Sequence, residues 1–164
     1  MRPRRIEPGP GQESVWDYPR PPRLEDCHKR IRVVFHNTII ADSTRAKRIL
    51  ETSQPPAYYI PPEDIKMDRL VASDHSTYCE WKGNASYYTV EVEGKTARNA
   101  AWYYAHPTSG YEGITNYVAF YPSKVDACYV DDEQVQAQEG DFYGGWITSE
   151  IVGPFKGGPG TYGW

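Results

Sequence analysis

Hydrophobic and polar positions alternate along much of the chain. In residues 86–94, SYYTVEVEG, Tyr88, Val90 and Val92 fall on one side, while Tyr87, Thr89, Glu91 and Glu93 fall on the other. That period of two is the mark of a half-buried strand. Gly94 supplies the freedom for the chain to reverse into Thr96 and beyond. A second strand is predicted over residues 77–82, ended by the turn pair Gly83-Asn84. Together these pieces form an antiparallel meander over residues 75–104, with aromatic side chains on both faces. Upstream, residues 31–35 and 39–41 flank His36-Asn37-Thr38 and read as a hairpin. Residues 57–60 stand between Pro55-Pro56 and Pro61-Pro62, too short for a helix and suited to an edge strand. Residues 126–130 and 134–136 bracket Asp131-Asp132-Glu133, a further hairpin. The segment 43–51 fits helical and strand periods equally.

One helix signal stands out. Ser109-x-x-Glu112 has the capping-box pattern ahead of Ile114, Tyr117 and Val118, which predicts a helix of two or three turns. With strands dominant, turns frequent and one or two short helices, the class is mainly β, a barrel or two packed sheets.

Proline and glycine divide the chain further. Residues 1–30 hold six of the 14 prolines and a charge of +2, against −6 for the remainder. They read as a proline-rich arm, in which Val15, Trp16 and Tyr18 offer apolar anchors. Residues 31–137 form the expected core domain, and 138–164 a glycine- and aromatic-rich tail that wraps it. Half of the 14 glycines lie between Gly144 and Gly163, with Trp146, Ile151, Phe155 and Trp164 as pins.

Fourteen tyrosines against four phenylalanines suggest rings that line clefts as well as fill a dry centre, because each hydroxyl needs a partner. A net charge of −4 gives no electrostatic support for nucleic-acid binding. No run of 18 apolar residues predicts a membrane span, and the basic N-terminus has no apolar stretch of a secretory signal. Cys27, Cys79 and Cys128 are isolated, which argues against a disulfide framework or a zinc site and for a reducing compartment. The cytoplasm is expected, or the chloroplast stroma in a plant or alga. No metal or cofactor is implied.

Four stretches carry a resemblance: IADSTRAKRILETSQPPAYYIPPEDI, then YCEWKGNASYYTV, NAAWYY and YVAFYPSKVDACY. In that order they resemble the domain of unknown function 427 family, also labelled nucleotidyltransferase-like, over residues 31–136. The arm and the tail GGWITSEIVGPFKGGPGTYGW resemble the form of the family in photosynthetic lineages. The resemblance implies a β-tent, in which two antiparallel sheets meet at an angle. The thalidomide-binding domain of cereblon is similar in architecture and holds small ligands in a cage of tryptophans. Other β-tent proteins clamp zinc with paired CxxC motifs, which this chain lacks.

These residues define a candidate ligand site of Arg45, Tyr59, Trp81, Lys82, Tyr88, Trp102 and Tyr104. Flat rings suit a planar ligand, and Arg45 or Lys82 would hold an anionic group. The competing reading makes the rings a closed core and pairs the cations with Glu51, Glu63 or Asp64. No catalytic residue is assigned. Cys79 beside Lys82 would be a nucleophile if its pKa were lowered, but a lone strand cysteine is more often a small buried hydrophobe. The glycines of GPFKGGPGTYG do not match a phosphate-binding loop, and successive carboxylates at 131–133 point in different directions. The expected function is binding of a small planar or anionic molecule in an aromatic cleft. The alternatives are a nucleotidyltransferase-like or other enzyme acting on a small anionic substrate, and a protein-interaction module.

Overall fold

The computed structural model describes residues 3–164. In chain order its strands are β1 (Glu13–Ser14), β2 (Arg23–Asp26), β3 (Ile31–Phe35), β4 (Thr38–Ser43), β5 (Lys47–Leu50), β6 (Ala57–Tyr59), β7 (Leu70–Cys79) and β8 (Gly83–Val92). They continue with β9 (Lys95–Tyr103), β10 (Val118–Phe120), β11 (Ala127–Val130), β12 (Glu133–Gln134), β13 (Gln136–Ala137), β14 (Trp146–Ile147) and β15 (Ile151–Val152). Strand accounts for 44% of the chain and helix for 7%, so the protein is mainly β. Among the described residues the helical part consists of three-residue 3-10 turns.

Two four-stranded sheets dominate, ordered β10-β9-β8-β7 and β12-β11-β3-β4, beside a three-stranded sheet β2-β5-β6. Their neighbours pair antiparallel, and no sheet closes into a barrel. The hairpins follow from short polar turns that tolerate left-handed backbone. His36 and Asn37, at φ 46 and 58, join β3 to β4, and Glu93 and Gly94, at φ 49 and 79, join β8 to β9. Positive φ at both central residues matches the right-handed twist of the flanking strands.

Two details depart from the sequence reading. The helix expected from Ser109 does not form. Only Glu112–Ile114 makes a 3-10 turn, without a side-chain cap, because Glu112 turns back to accept from the Gly110 amide. Asn116 then takes φ 61, and the chain leaves as β10 at Val118. The meander's first turn is Glu80-Trp81-Lys82 rather than Gly83-Asn84, since Gly83, at φ 105, already pairs with Cys79. Trp81 and Lys82 are therefore turn residues at one end of the sheet.

Alternation sorts the aromatic rings onto opposite faces. Across β8 and β9, Tyr87 pairs with Trp102 and Tyr88 with Ala101. Tyr88 packs with Val90, Val92, Ala101 and Phe120 against the large core that also contains Ile31, Val33, Ile40 and Trp146. Tyr87, Trp102 and Tyr104 face the other way, into a second cluster with Ile49, Tyr59, Ile114 and Tyr121. A pair of backbone bonds, Ile60 N to Val118 O and Val118 N to Ile60 O, both 2.9 Å, ties the end of β6 to β10. That bridge brings the three-stranded sheet beside the four-stranded one. A third cluster joins Val15, Trp16 and Tyr18 to Leu50 and Ile151, with Trp16 and Trp164 edge to face at 5.7 Å.

Candidate aromatic cavity

The second cluster is not closed. A cavity of about 150 Å³ opens between β5–β6 and β7–β9, lined by Glu51, Tyr59, Cys79, Lys82, Tyr87, Trp102, Tyr104 and Tyr121 among others. Its floor is buried: Tyr59 is 1% exposed and Trp102 8%. Its mouth is not, since Tyr78 and Phe142 are 69% and 62% exposed. Residues 142–145 of the tail close one side.

Floor geometry is fixed by ring contacts and a string of hydroxyls. Trp102 lies edge-on to Tyr59, with centroids 6.1 Å apart, and its Nε1 donates to the Tyr59 hydroxyl at 3.2 Å. Tyr104 is 6.3 Å from Tyr59 and Tyr121 is 4.6 Å from Trp102, centroid to centroid. On the far wall the Tyr87 hydroxyl bonds Thr77 Oγ1 at 3.0 Å and the Tyr121 hydroxyl at 3.4 Å. The Tyr121 hydroxyl in turn donates to the Phe142 carbonyl at 3.2 Å. Burial pushes the Tyr59 and Tyr104 hydroxyls above the usual phenol range, so both are neutral donors near pH 7.

Two charged groups reach the cavity, and they are placed differently. Glu51 is engaged by the Arg20 guanidinium at 3.2 Å. The Lys82 ammonium has no hydrogen bond or ion pair among the described residues; its Nζ lies 5.9 Å from the Tyr104 ring centroid. Burial works against its charge, but the surrounding groups, Glu51 among them, outweigh burial and raise its pKa above the usual lysine value. The ammonium is therefore present at neutral pH.

Of the seven residues singled out from sequence, the structure brings Tyr59, Lys82, Trp102 and Tyr104 together. The other three lie elsewhere. Arg45 is exposed and holds Asp64 at 2.7 Å, one of the three ion pairs weighed against its binding role. Trp81 packs on the edge of the second cluster and lines a separate surface groove with Pro21, Pro22 and Tyr111 rather than the cavity. Tyr88 stacks on Tyr103 at 4.6 Å on the opposite sheet face. Sequence reasoning missed Glu51, Tyr87, Tyr121 and the tail. Tyr87 was within reach, since alternation places it on the face of Trp102; Tyr121 and residues 142–145 arrive only through long-range packing.

The remaining candidate chemistry is dispersed. Asp131 accepts from the Arg30 amide, Asp132 sits 3.8 Å from Arg32, and Glu133 holds the Ser149 amide and hydroxyl, so these carboxylates diverge. Cys27 and Cys128 are buried free thiols, and burial pushes both up in pKa. Among the described residues no three His, Cys, Asp or Glu side chains are grouped to hold a metal ion. None of the described helices is long and apolar enough to cross a membrane.

The fold and these motifs define a mainly β domain with an aromatic cavity. The family model described as Domain of unknown function (DUF427) matches residues 23–131, and the chain belongs to that family. A comparison with curated proteins gives no match.

Proposed function

We propose that the protein binds a small planar, anionic molecule in the cavity above Tyr59 and Trp102. The observation that carries this reading is Lys82: an ammonium with no acceptor of its own beside the ring of Tyr104. A charge held without a partner among apolar walls is costly unless something else completes it. Flat rings on the floor favour a flat ligand. The volume sets its size, since a cavity of roughly 150 Å³ accepts a benzene-sized ring. The two sheets flanking the cavity are read as the halves of a β-tent, which the family membership supports. Three free cysteines fit a reducing location, the cytoplasm or the stroma.

A second reading has its own support. Tyr78 and Phe142 are exposed aromatics at the mouth, where a side chain of a partner protein would first touch.

The test follows the indole N–H resonances of the protein by NMR while single-ring planar compounds, neutral and anionic, are added. The Trp102 resonance should move saturably, and that of Trp16, bonded to the Pro154 carbonyl, should stay in place. If no compound moves the Trp102 signal, the small-ligand reading fails.

A further inference from the structure

The polar groups around Lys82 restrict what the cavity can take. Tyr59 already accepts the Trp102 N–H at 3.2 Å, so its own proton is left to donate. The Tyr104 hydroxyl is held neutral by burial and gives its proton to the Tyr59 oxygen, which positions the Tyr59 hydroxyl. Lys82 Nζ carries donors alone, and of the one carboxylate lining the cavity, Glu51, a single oxygen is engaged by Arg20, at 3.2 Å. The free donors of the floor are thus the Lys82 ammonium and the Tyr59 hydroxyl.

We propose that the ligand is a monocarboxylate of a single aromatic or heteroaromatic ring, with its carboxylate at Lys82 and Tyr59 and its ring against Trp102 and Tyr121. This rests on the cavity being a ligand site at all. A carboxylate has one charge and two acceptor oxygens, which one ammonium and one phenol match. A phosphate, carrying close to two charges and three acceptor oxygens, calls for more cations or a cluster of backbone amides. The lining offers Lys82 as its only cation. The volume of about 150 Å³ seats a single ring on the floor.

The arrangement also assigns separate parts to the two walls. Trp102 and Tyr121 pack directly on each other, with centroids 4.6 Å apart and a tilt of 50°, and form one wall for the ring. The Thr77–Tyr87–Tyr121 hydroxyl string lies along that wall and would meet a ring substituent away from the carboxylate.

The experiment titrates the full chain with benzoate, its neutral isostere benzamide, phenylphosphate and benzylamine, by calorimetry and by the Trp102 indole resonance. Benzoate should bind at least tenfold more tightly than each of the other three. Lys82→Met keeps the aliphatic stem, and in it benzoate should fall to the level of benzamide while the melting temperature stays within a few degrees. Benzoate and benzamide binding equally, or phenylphosphate winning, overturns the carboxylate assignment and leaves the cavity reading intact. No binding by any of the four, nor by other single-ring compounds, removes the cavity reading itself. Should Lys82→Met fail to fold, the comparison of benzoate with benzamide on the unaltered protein decides alone.

Discussion

Gly144 lies so close to Trp102 that a β-carbon on it would stand 2.3 Å from Cη2 of the indole. The tail therefore presses bare backbone onto a ring of the cavity floor, 42 residues away in sequence. Trp102 has little room to yield, being 8% exposed and held edge-on to Tyr59 and at 4.6 Å from Tyr121.

Gly144→Ala should accordingly destabilise the protein by about 1–3 kcal/mol, the usual cost of overpacking. In a chain of this length that lowers the melting temperature by roughly 2–12 °C. The same variant should shift the Trp102 indole resonance and weaken any cavity ligand. Calorimetric melting and NMR of the variant check both; unchanged values for both would mean that the tail does not rest on the indole.

Tyr59→Phe isolates one hydrogen bond. The phenol oxygen is the acceptor for Trp102 Nε1, and both groups are buried. Removing it leaves the indole N–H without that acceptor, at a cost of about 1–3 kcal/mol. Arg45→Ala makes the contrast, because its pair with Asp64 is exposed on the arginine side and should contribute less than the buried Tyr59–Trp102 bond. Arg45→Ala should also leave cavity binding unchanged. Urea unfolding of the two variants reads the stability difference, and ligand titration reads the rest.

What the sequence made legible, and what it hid, divides by range. The hairpins were readable because alternation and positive-φ turn residues are local: His36-Asn37 and Glu93-Gly94 both sit between alternating runs. The mainly β class follows from those same local signals. Ser109-x-x-Glu112 misled because two glycines, Gly110 and Gly113, and a left-handed Asn116 break the turn that the capping pattern announces. Around the cavity, Tyr59, Lys82, Trp102 and Tyr104 stood out as aromatic and basic residues inside family motifs. Which face each ring takes depended on the register, and that placed Tyr88 opposite Trp102. Arg45 went to Asp64, 19 residues downstream, a choice between three acids that no local pattern makes. The wall at residues 142–145 depends on the tail returning over the sheet, which glycine content permits but does not specify.

Acid should weaken the protein through identifiable carboxylates. The Arg45 guanidinium and the Ser43 hydroxyl hold Asp64 below its usual range. Glu13 is lowered too: burial opposes its charge, but hydrogen bonds from Arg48 outweigh burial. A group depressed in the folded state contributes stability that is complete above its unfolded value, near pH 4, and lost as pH falls through the folded value. Unfolding midpoints should therefore drop from pH 5 to pH 2. In Asp64→Asn the drop should be smaller, since the mutated side chain no longer titrates. An equal pH dependence in the variant would show that this pair carries none of it.

Alkali should act through the buried tyrosines, and the sign runs the other way. Burial raises Tyr58 to about 12 and places Tyr59, Tyr104 and Tyr121 above the usual phenol range. In the unfolded chain each ionises near pH 10, so above that pH the unfolded state holds fewer protons and stability falls as pH rises. A spectrophotometric titration near 295 nm should show a fraction of the 14 tyrosines ionising near pH 10, and the rest only as the protein unfolds. A saturating anionic ligand binds only the folded protein and should move the late step to higher pH, as mass action requires. Lys82→Met should abolish that ligand-dependent shift while leaving the early step in place. If all the tyrosines titrate together near pH 10 in protein that is still folded, the hydroxyls of the floor are open to water, and Tyr59 is not the sheltered donor described above.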